Sequence, residues 1–273
     1  MSVTVGQVQA VIEGLWPLSG AESWDAPGLI SGDLDAPVTR VHLAVDAVAD
    51  TVAEAIDSGA DLLLTHHPLL LRGVTTVAED RYKGAMLARL IRANCALVAA
   101  HTNADVVETG TSAVIADRLG LIDALPIVPS APGSSRGLGR VGALPTTTTL
   151  GALARTLADI LPPTATGVRA AGEYDRPVTT VALCGGAGDS LLTAAAVTGA
   201  DVYITSDLRH HPASEARENA RITGGPALID VSHWASEWLW LDTAAEELRA
   251  ALPEIAVSVS ELRTDPWDFT IVQ

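Results

Sequence analysis

The segment Asp61–Gly73, DLLLTHHPLLLRG, sets two adjacent histidines and a proline inside an otherwise apolar run. A short apolar run bounded by Pro and Gly has the pattern of a buried strand, where imidazoles are seldom found without partners for their nitrogens. His66 and His67 are therefore either ligands at a strand end or hydrogen-bonded core histidines. Side chains of the same chemistry recur further on. NCALVAAHTNADVVETG places His101, Asn103 and Asp105 directly after a second apolar strand. ALIDVSHWASEWLW runs from a strand into a helix, with Ser232 available as N-cap and His233 and Glu237 four residues apart, on one helix face. Singly, each is ordinary, HTNAD as a turn and His233 with Glu237 as a solvated pair. Together, His66, His67, Asp105, His233 and Glu237 offer imidazole and carboxylate without cysteine, a donor mix suited to borderline divalent metals. Neighbours in an extended strand point to opposite sides, so His66 and His67 are expected to take one ion each of a pair ~3.5–4 Å apart, bridged by a carboxylate.

The elements that must position these groups alternate. Strands are expected at Arg40–Val45, Asp61–Thr65, Cys95–Ala100, Val178–Cys184, Asp201–Thr205 and Ala227–Val231. Helical patterns lie at Ala49–Ser58, Arg81–Asn94, Thr111–Leu119, Leu150–Ile160, Ser190–Thr198, Pro212–Ala220 and Ser236–Ala251. Such alternation, with continuously apolar strands, predicts an α/β protein with mostly parallel or mixed sheets. The Thr4-x-x-Gln7 capping box marks a first helix, not a targeting signal, and the Pro/Gly/Ser-rich Pro129–Arg140 is the expected linker.

A shift of 140 positions aligns Pro37–Thr65 with Pro177–Thr205 without a gap, eleven of twenty-nine positions being identical. The shared PVT and GAD blocks frame a strand–helix–strand, so two pseudo-symmetric α/β lobes follow. Their expected extents are residues 1–126, completed by 228–273, and 127–227. Past the shared threonine the first copy continues His66-His67-Pro68 and the second Ser206-Asp207-Leu208-Arg209-His210-His211. Carboxyl ends of strands are where α/β sheets hold ligands, which points to a cleft between the lobes. His101, His210 and His211 are candidate acid/base or substrate-orienting groups, and Arg72 and Arg209 are candidates for offsetting an anionic ligand.

Composition narrows the partners. Seventeen Lys+Arg against thirty-three Asp+Glu give a net charge of −16, which disfavours nucleic acid and anionic membranes. The length of 273 residues suits one large or two medium domains, and no run reaches the ~18 apolar residues of a membrane span. Cys95 and Cys184 sit singly in strand-like segments, as packing thiols of a reducing cytoplasm would.

The segments GADLLLTHHPLL, HTNAD and SHWASE, with the earlier SWDAPGLISGD, resemble in order the signatures of the Nif-three-like family, the GTP cyclohydrolase I type 2-like or dinuclear metal-centre proteins. The resemblance implies two pseudo-symmetric lobes with a dimetal cleft between them and a homo-hexameric assembly. It places the ligands on His66, His67, Asp105, His233 and Glu237, with Glu237 as the bridge. It also implies a hydrolase acting on a small molecule, with opening of the GTP ring as one candidate and a nucleotide as a candidate substrate class. A dinuclear phosphoesterase or amidohydrolase, or a non-enzymatic metal-binding regulator, would use the same residues. Two divalent cations are the expected cofactors, zinc first and Mn, Fe, Co or Ni as the other candidates. The chain departs from the family pattern in lacking the domain that longer members insert, and in carrying Ser232 where Gly is usual and Ala26-Pro27 where Asn or Val is common.

Overall fold

The computed structural model describes residues 3–272, and the chain falls into two compact units. The first runs to Ala104 and is completed by Leu241–Thr264; the second comprises Asp105–Trp240 and the segment from Asp265 on. The boundaries expected at 126/127 and 227/228 both fall inside the second unit, since the strands Ile122–Leu125 and Ala227–Val231 belong to one sheet there. Among the described residues no helix is long and apolar enough to cross a membrane.

In the first unit a five-stranded sheet has the order Ala256–Val259, Arg40–Ala44, Leu62–Thr65, Ala96–Ala99, Gly28–Ser31. The first three junctions are parallel and the last is antiparallel. Leu63 and Leu97 pack against Val52 and Ala55 of the helix Ala49–Asp57 and Met86, Leu87 and Leu90 of the helix Tyr82–Arg92. Leu62 and Leu64 on the alternate positions are equally buried, so the strand is covered on both faces, which is why it reads as a continuous apolar run. Each such side chain contributes about 1.5–3 kcal/mol by leaving water. The helix Val5–Leu15 opens with the expected capping box: Thr4 N donates to Gln7 Oε1 at 2.9 Å and Gln7 N to Thr4 Oγ1 at 3.3 Å.

In the second unit a six-stranded sheet has the order Arg169–Ala171, Ala227–Val231, Val202–Ser206, Pro177–Ala187, Arg140–Thr149, Ile122–Leu125. Its three central strands are parallel to one another and the rest antiparallel. The repeat is present at the level of strand register. Val41 faces Leu62 and Leu43 faces Leu64 in the first unit; Val181 faces Val202 and Leu183 faces Ile204 in the second, each 140 positions on.

Two expectations are corrected. The expected linker is a hairpin of the second unit, with Val128–Pro129 paired to Gly137–Leu138. Its end is pinned by buried Arg140, whose guanidinium donates to the carbonyls of Gly137, Gly139 and Val107 at 2.7–2.8 Å. The helix expected at Ser190–Thr198 is two short pieces, Asp189–Leu191 and Ala195–Thr198. Leu191 and Val197 are both buried, yet six residues apart they would lie on different faces of one continuous helix, so burying both breaks it.

Candidate metal centre

The strand Leu62–Thr65 ends one residue before the histidine pair. Thr65 Oγ1 donates to His67 O at 2.8 Å, and the amides of His66 and His67 donate to Ala44 O and Val45 O at 3.1 and 2.9 Å. These bonds bend the chain out of the extended form, so the alternation expected for His66 and His67 does not hold. Their ring centroids lie 5.2 Å apart, and His101, which follows the strand Ala96–Ala99, stands 5.2 and 5.4 Å from the two. One nitrogen from each of His66, His67 and His101 lies within 4.8 Å of the others. His101, expected as an acid/base group, is thus brought into the donor set itself.

Each of these rings is held through Nδ1. His66, fully buried, bonds Ala100 O at 2.9 Å; a carbonyl only accepts, so Nδ1 carries the proton and Nε2 the lone pair. His67 Nδ1 bonds Asp46 Oδ1 at 2.7 Å, and Asp46 is held in turn by Thr264 Oγ1 at 2.5 Å. His101 Nδ1 bonds Asp25 Oδ1 at 2.8 Å. Asp25 Oδ2 accepts from Thr102 N and Oγ1, while Asn103 accepts from His101 N and donates to Trp16 O. Burial opposes the charge on Asp25, but the bonds from His101 and Thr102, the His101 charge and the Ala26 amide outweigh it, holding its carboxyl well below the usual range.

The second unit carries Asp105, His233 and Glu237. Asp105 closes the short helix Thr102–Asp105 and accepts from Thr111 Oγ1 at 2.6 Å. His233 opens the helix His233–Ala251, capped by Ser232, whose Oγ accepts from Ala235 N at 3.2 Å and donates to Asp265 at 2.5 Å. Serine in place of the usual glycine therefore supplies a cap. His233 Nδ1 bonds Asp207 Oδ2 at 2.7 Å and its Nε2 faces Glu237 Oε1 at 2.9 Å, with Glu237 buried. Burial opposes a charge on His233, but Glu237 and Asp207 prevail and raise its pKa well above the ordinary imidazole range. Asp207 holds a left-handed conformation, φ 57°, which aspartate tolerates better than most residues.

His210 and His211 stand edge to face, centroids 5.2 Å apart, exposed at the start of the helix His210–Thr223. Among the described residues neither joins a group of converging donors. Of the two arginines considered for an anionic ligand, Arg209 is tied to Asp189 at 2.6 Å. Spacing did not point to Asp25, Asp46 or Asp207 as ring holders, although two of them follow the rule that found the histidines: Asp46 and Asp207 lie just past strand ends, whereas Asp25 precedes the strand Gly28–Ser31.

All four imidazoles have Nδ1 on a carbonyl or carboxylate, the arrangement that presents Nε2 to a metal and fixes the ring's orientation. The donor chemistry fits a divalent cation, and the fold and site together define an α/β protein with a candidate metal centre. The profile of the Duf34/NIF3 (NGG1p interacting factor 3) family matches residues 3–266, and the chain belongs to that family. It is 46% identical over 269 residues to a Streptomyces coelicolor protein named GTP cyclohydrolase 1 type 2 homolog, covering 96% of this chain and 93% of that one. A Mycobacterium leprae protein of the same name is 34% identical, covering 98% and 96%. That alignment runs over 375 positions against 273 residues here, so the mycobacterial relative carries an additional segment. The crystal structure of Staphylococcus aureus hypothetical protein SA1388 superposes with a TM-score of 0.87 at 27% identity, covering 99% of this chain and 100% of that one.

Proposed function

We propose that this protein is a dinuclear metal-dependent hydrolase of a small molecule, with His66, His67, Asp105, His233 and Glu237, joined by His101, holding two divalent cations. The observation that carries the proposal is the set of Nδ1 bonds to Ala100, Asp46, Asp25 and Asp207, each of which orients an imidazole as a ligand. Two bound cations, zinc first, would supply a water acidified toward neutral pH and a Lewis acid for the substrate. Glu237 would help to hold the cations, its negative charge offsetting the repulsion between them. Asp25, Asp46 and Asp207 fix the ring orientations of His101, His67 and His233. His210 and His211 are the groups available to move a proton to or from the leaving atom.

The substrate we propose is a heterocycle, with GTP ring opening the first reaction to test, because relatives bear that name. An exposed aromatic supports this: Trp24 stands edge-on to His101 at 5.8 Å and is 58% exposed, offering an apolar face on which a base can stack. A cytoplasmic homo-hexamer completes the proposal, supported by exposed Trp267, Phe269 and Ile271.

The test uses protein stripped of metal and reloaded, with cations counted by elemental analysis. Formate release from GTP and phosphate release from generic esters are followed in parallel. Formate release lost in Glu237→Gln supports the proposal. Phosphate release alone moves the assignment to a phosphoesterase. Neither product, with two cations retained, makes the protein a metal-binding regulator. Sedimentation at micromolar concentration tests the hexamer.

A further inference from the structure

We propose that the glycine pair Gly185–Gly186, in the run Cys184–Gly188 (CGGAG), is the seat that locates both carboxylates of the second unit, with Gly186 the positioning residue for Glu237. The inference rests on the metal-centre reading above. It begins with a break in the repeat. In the first unit the ladder between the paired strands runs evenly to Ala44 opposite Thr65. In the second the register jumps from Leu183 opposite Ile204 to Ala187 opposite Ser206, so four positions on one strand match two on the other. The bulge falls on Gly185 and Gly186, and bulges re-aim a strand end.

Gly186 sits in the left-handed region, φ +67°. A Cβ there would lie 2.4 Å from Glu237 Oε1 and 3.4 Å from His233 Nε2, so the carboxylate occupies the space a side chain would take. The backbone beneath cannot easily retreat. Gly186 N donates to Ser236 Oγ at 2.9 Å, Ser236 Oγ donates to His233 O at 2.8 Å, and Gly186 O accepts from Thr205 Oγ1 at 3.1 Å. Ser236 therefore ties the glycine to the helical turn that carries both His233 and Glu237. Gly185 does the same for the other carboxylate. Its N–H donates to Ser112 Oγ at 3.1 Å, and its missing Cβ would lie 3.3 Å from Thr111 Oγ1, the hydroxyl that donates to Asp105 at 2.6 Å. One strand end thus sets Glu237 by direct contact and Asp105 through Thr111. In the first copy the position aligned with Gly186 is Asp46, the holder of His67.

The test compares Gly186→Ala with Gly167→Ala in the full chain. Gly167 has a similar φ, +59°, but open space around its Cβ, so it measures left-handed strain without displacing a carboxylate. With Zn2+ alone as the probe, Gly186→Ala is expected to lose at least one equivalent after dialysis while Gly167→Ala keeps the wild-type content; equal content in Gly186→Ala and wild type overturns the seat. Crystal structures of metal-free wild type and Gly186→Ala supply a readout independent of loading. Glu237 displaced with residues 184–188 unmoved supports the seat, and Glu237 unmoved overturns it. If wild type itself binds no Zn2+, the dinuclear proposal fails and the metal-free pair decides the seat alone. Should Gly186→Ala not fold, Ser236→Ala takes its place: removing the brace is expected to weaken Zn2+ about tenfold, and unchanged affinity overturns the inference.

Discussion

Residues 37–65 and 177–205 build the same strand–helix–strand frame, closed in both by one carboxylate. Asp61 Oδ2 accepts from the amides of Thr39 and Arg40 at 2.7 and 3.0 Å, and Asp201 Oδ2 from those of Thr179 and Thr180 at 2.9 and 2.8 Å. Asp61 N donates to Arg40 O and Asp201 N to Thr180 O, again 140 positions apart. Beyond the frame the copies part. Where the first has His66 and His67, the second has Ser206 and Asp207; where the first has Asp46, the second has Gly186. The roles are exchanged as well. At the strand end of the first unit His67 is the imidazole and Asp46 its holder, whereas in the second the residue aligned with His67 is itself the holder, Asp207, of an imidazole drawn from a later helix, His233. The difference teaches that the duplicated part is backbone architecture, while each unit's chemistry is set by a few residues just past the strand ends.

The largest effect is expected from writing the second copy's residues onto the first. His66→Ser/His67→Asp removes two imidazoles, and elemental analysis should find less than one cation per chain; wild-type content would return the pair to a structural role. The reciprocal Ser206→His/Asp207→His should gain no cation, since it removes the holder of His233.

Next come the holders. Asp46→Asn and Asp25→Asn should each weaken metal binding about 10–100-fold, measured by competition with a chelator. Asp25 carries a pH signature. Its folded pKa is depressed, so its stabilisation is present above the unfolded value of about 3.9 and is lost as pH falls through the folded one. The gap in urea midpoint between wild type and Asp25→Asn should therefore be full at pH 7 and shrink on acidification below about 4. A gap independent of pH would argue against an ionised Asp25.

The shared frame gives a smaller, symmetrical effect. Asp61→Asn and Asp201→Asn should each cost about 1.5–3 kcal/mol, the range for hydrogen bonds to a charged group, with cation content unchanged. A loss of metal in either would show that frame and site are not separable. Asp61 also has a depressed pKa, its backbone and hydroxyl bonds from Thr39 outweighing burial, so its share too is lost as acid is added.

The smallest effect concerns the thiols. Burial pushes both Cys95 and Cys184 up to about 12, so iodoacetamide at pH 8 should label folded protein far more slowly than unfolded. Because these pKa values are raised, the associated stabilisation is complete below the unfolded value of about 8.5 and declines as pH rises above it. Cys95 is buried and Cys184 half-buried, so rapid labelling of Cys95 in the native protein would contradict its burial.

Much of this was legible in local pattern. The strands that bear His66 and His101, the helix bearing His233 and Glu237, the Ser232 cap, the Thr4 capping box and the 140-residue repeat all follow from apolar periodicity, capping chemistry and self-similarity. The strands at Arg140–Thr149, Arg169–Ala171 and Ala256–Val259 were not, because their exposed or mixed faces carry no continuous apolar signal.

What the sequence determined by itself was which side chains carry ligand chemistry and which elements bear them, since both depend on neighbours within a few residues. Tertiary structure decided how those side chains are aimed. His101 is held by Asp25 from 76 residues away, Asp46 by Thr264 from 218, and Gly186 by Ser236 from 50. It also decided that His66 and His67 turn toward a common point instead of alternating, because the bond from Thr65 to His67 O ends the strand one residue too early for strand parity to apply. Orientation depends on hydrogen bonds closed only when distant segments meet, and no local pattern encodes which segments those are.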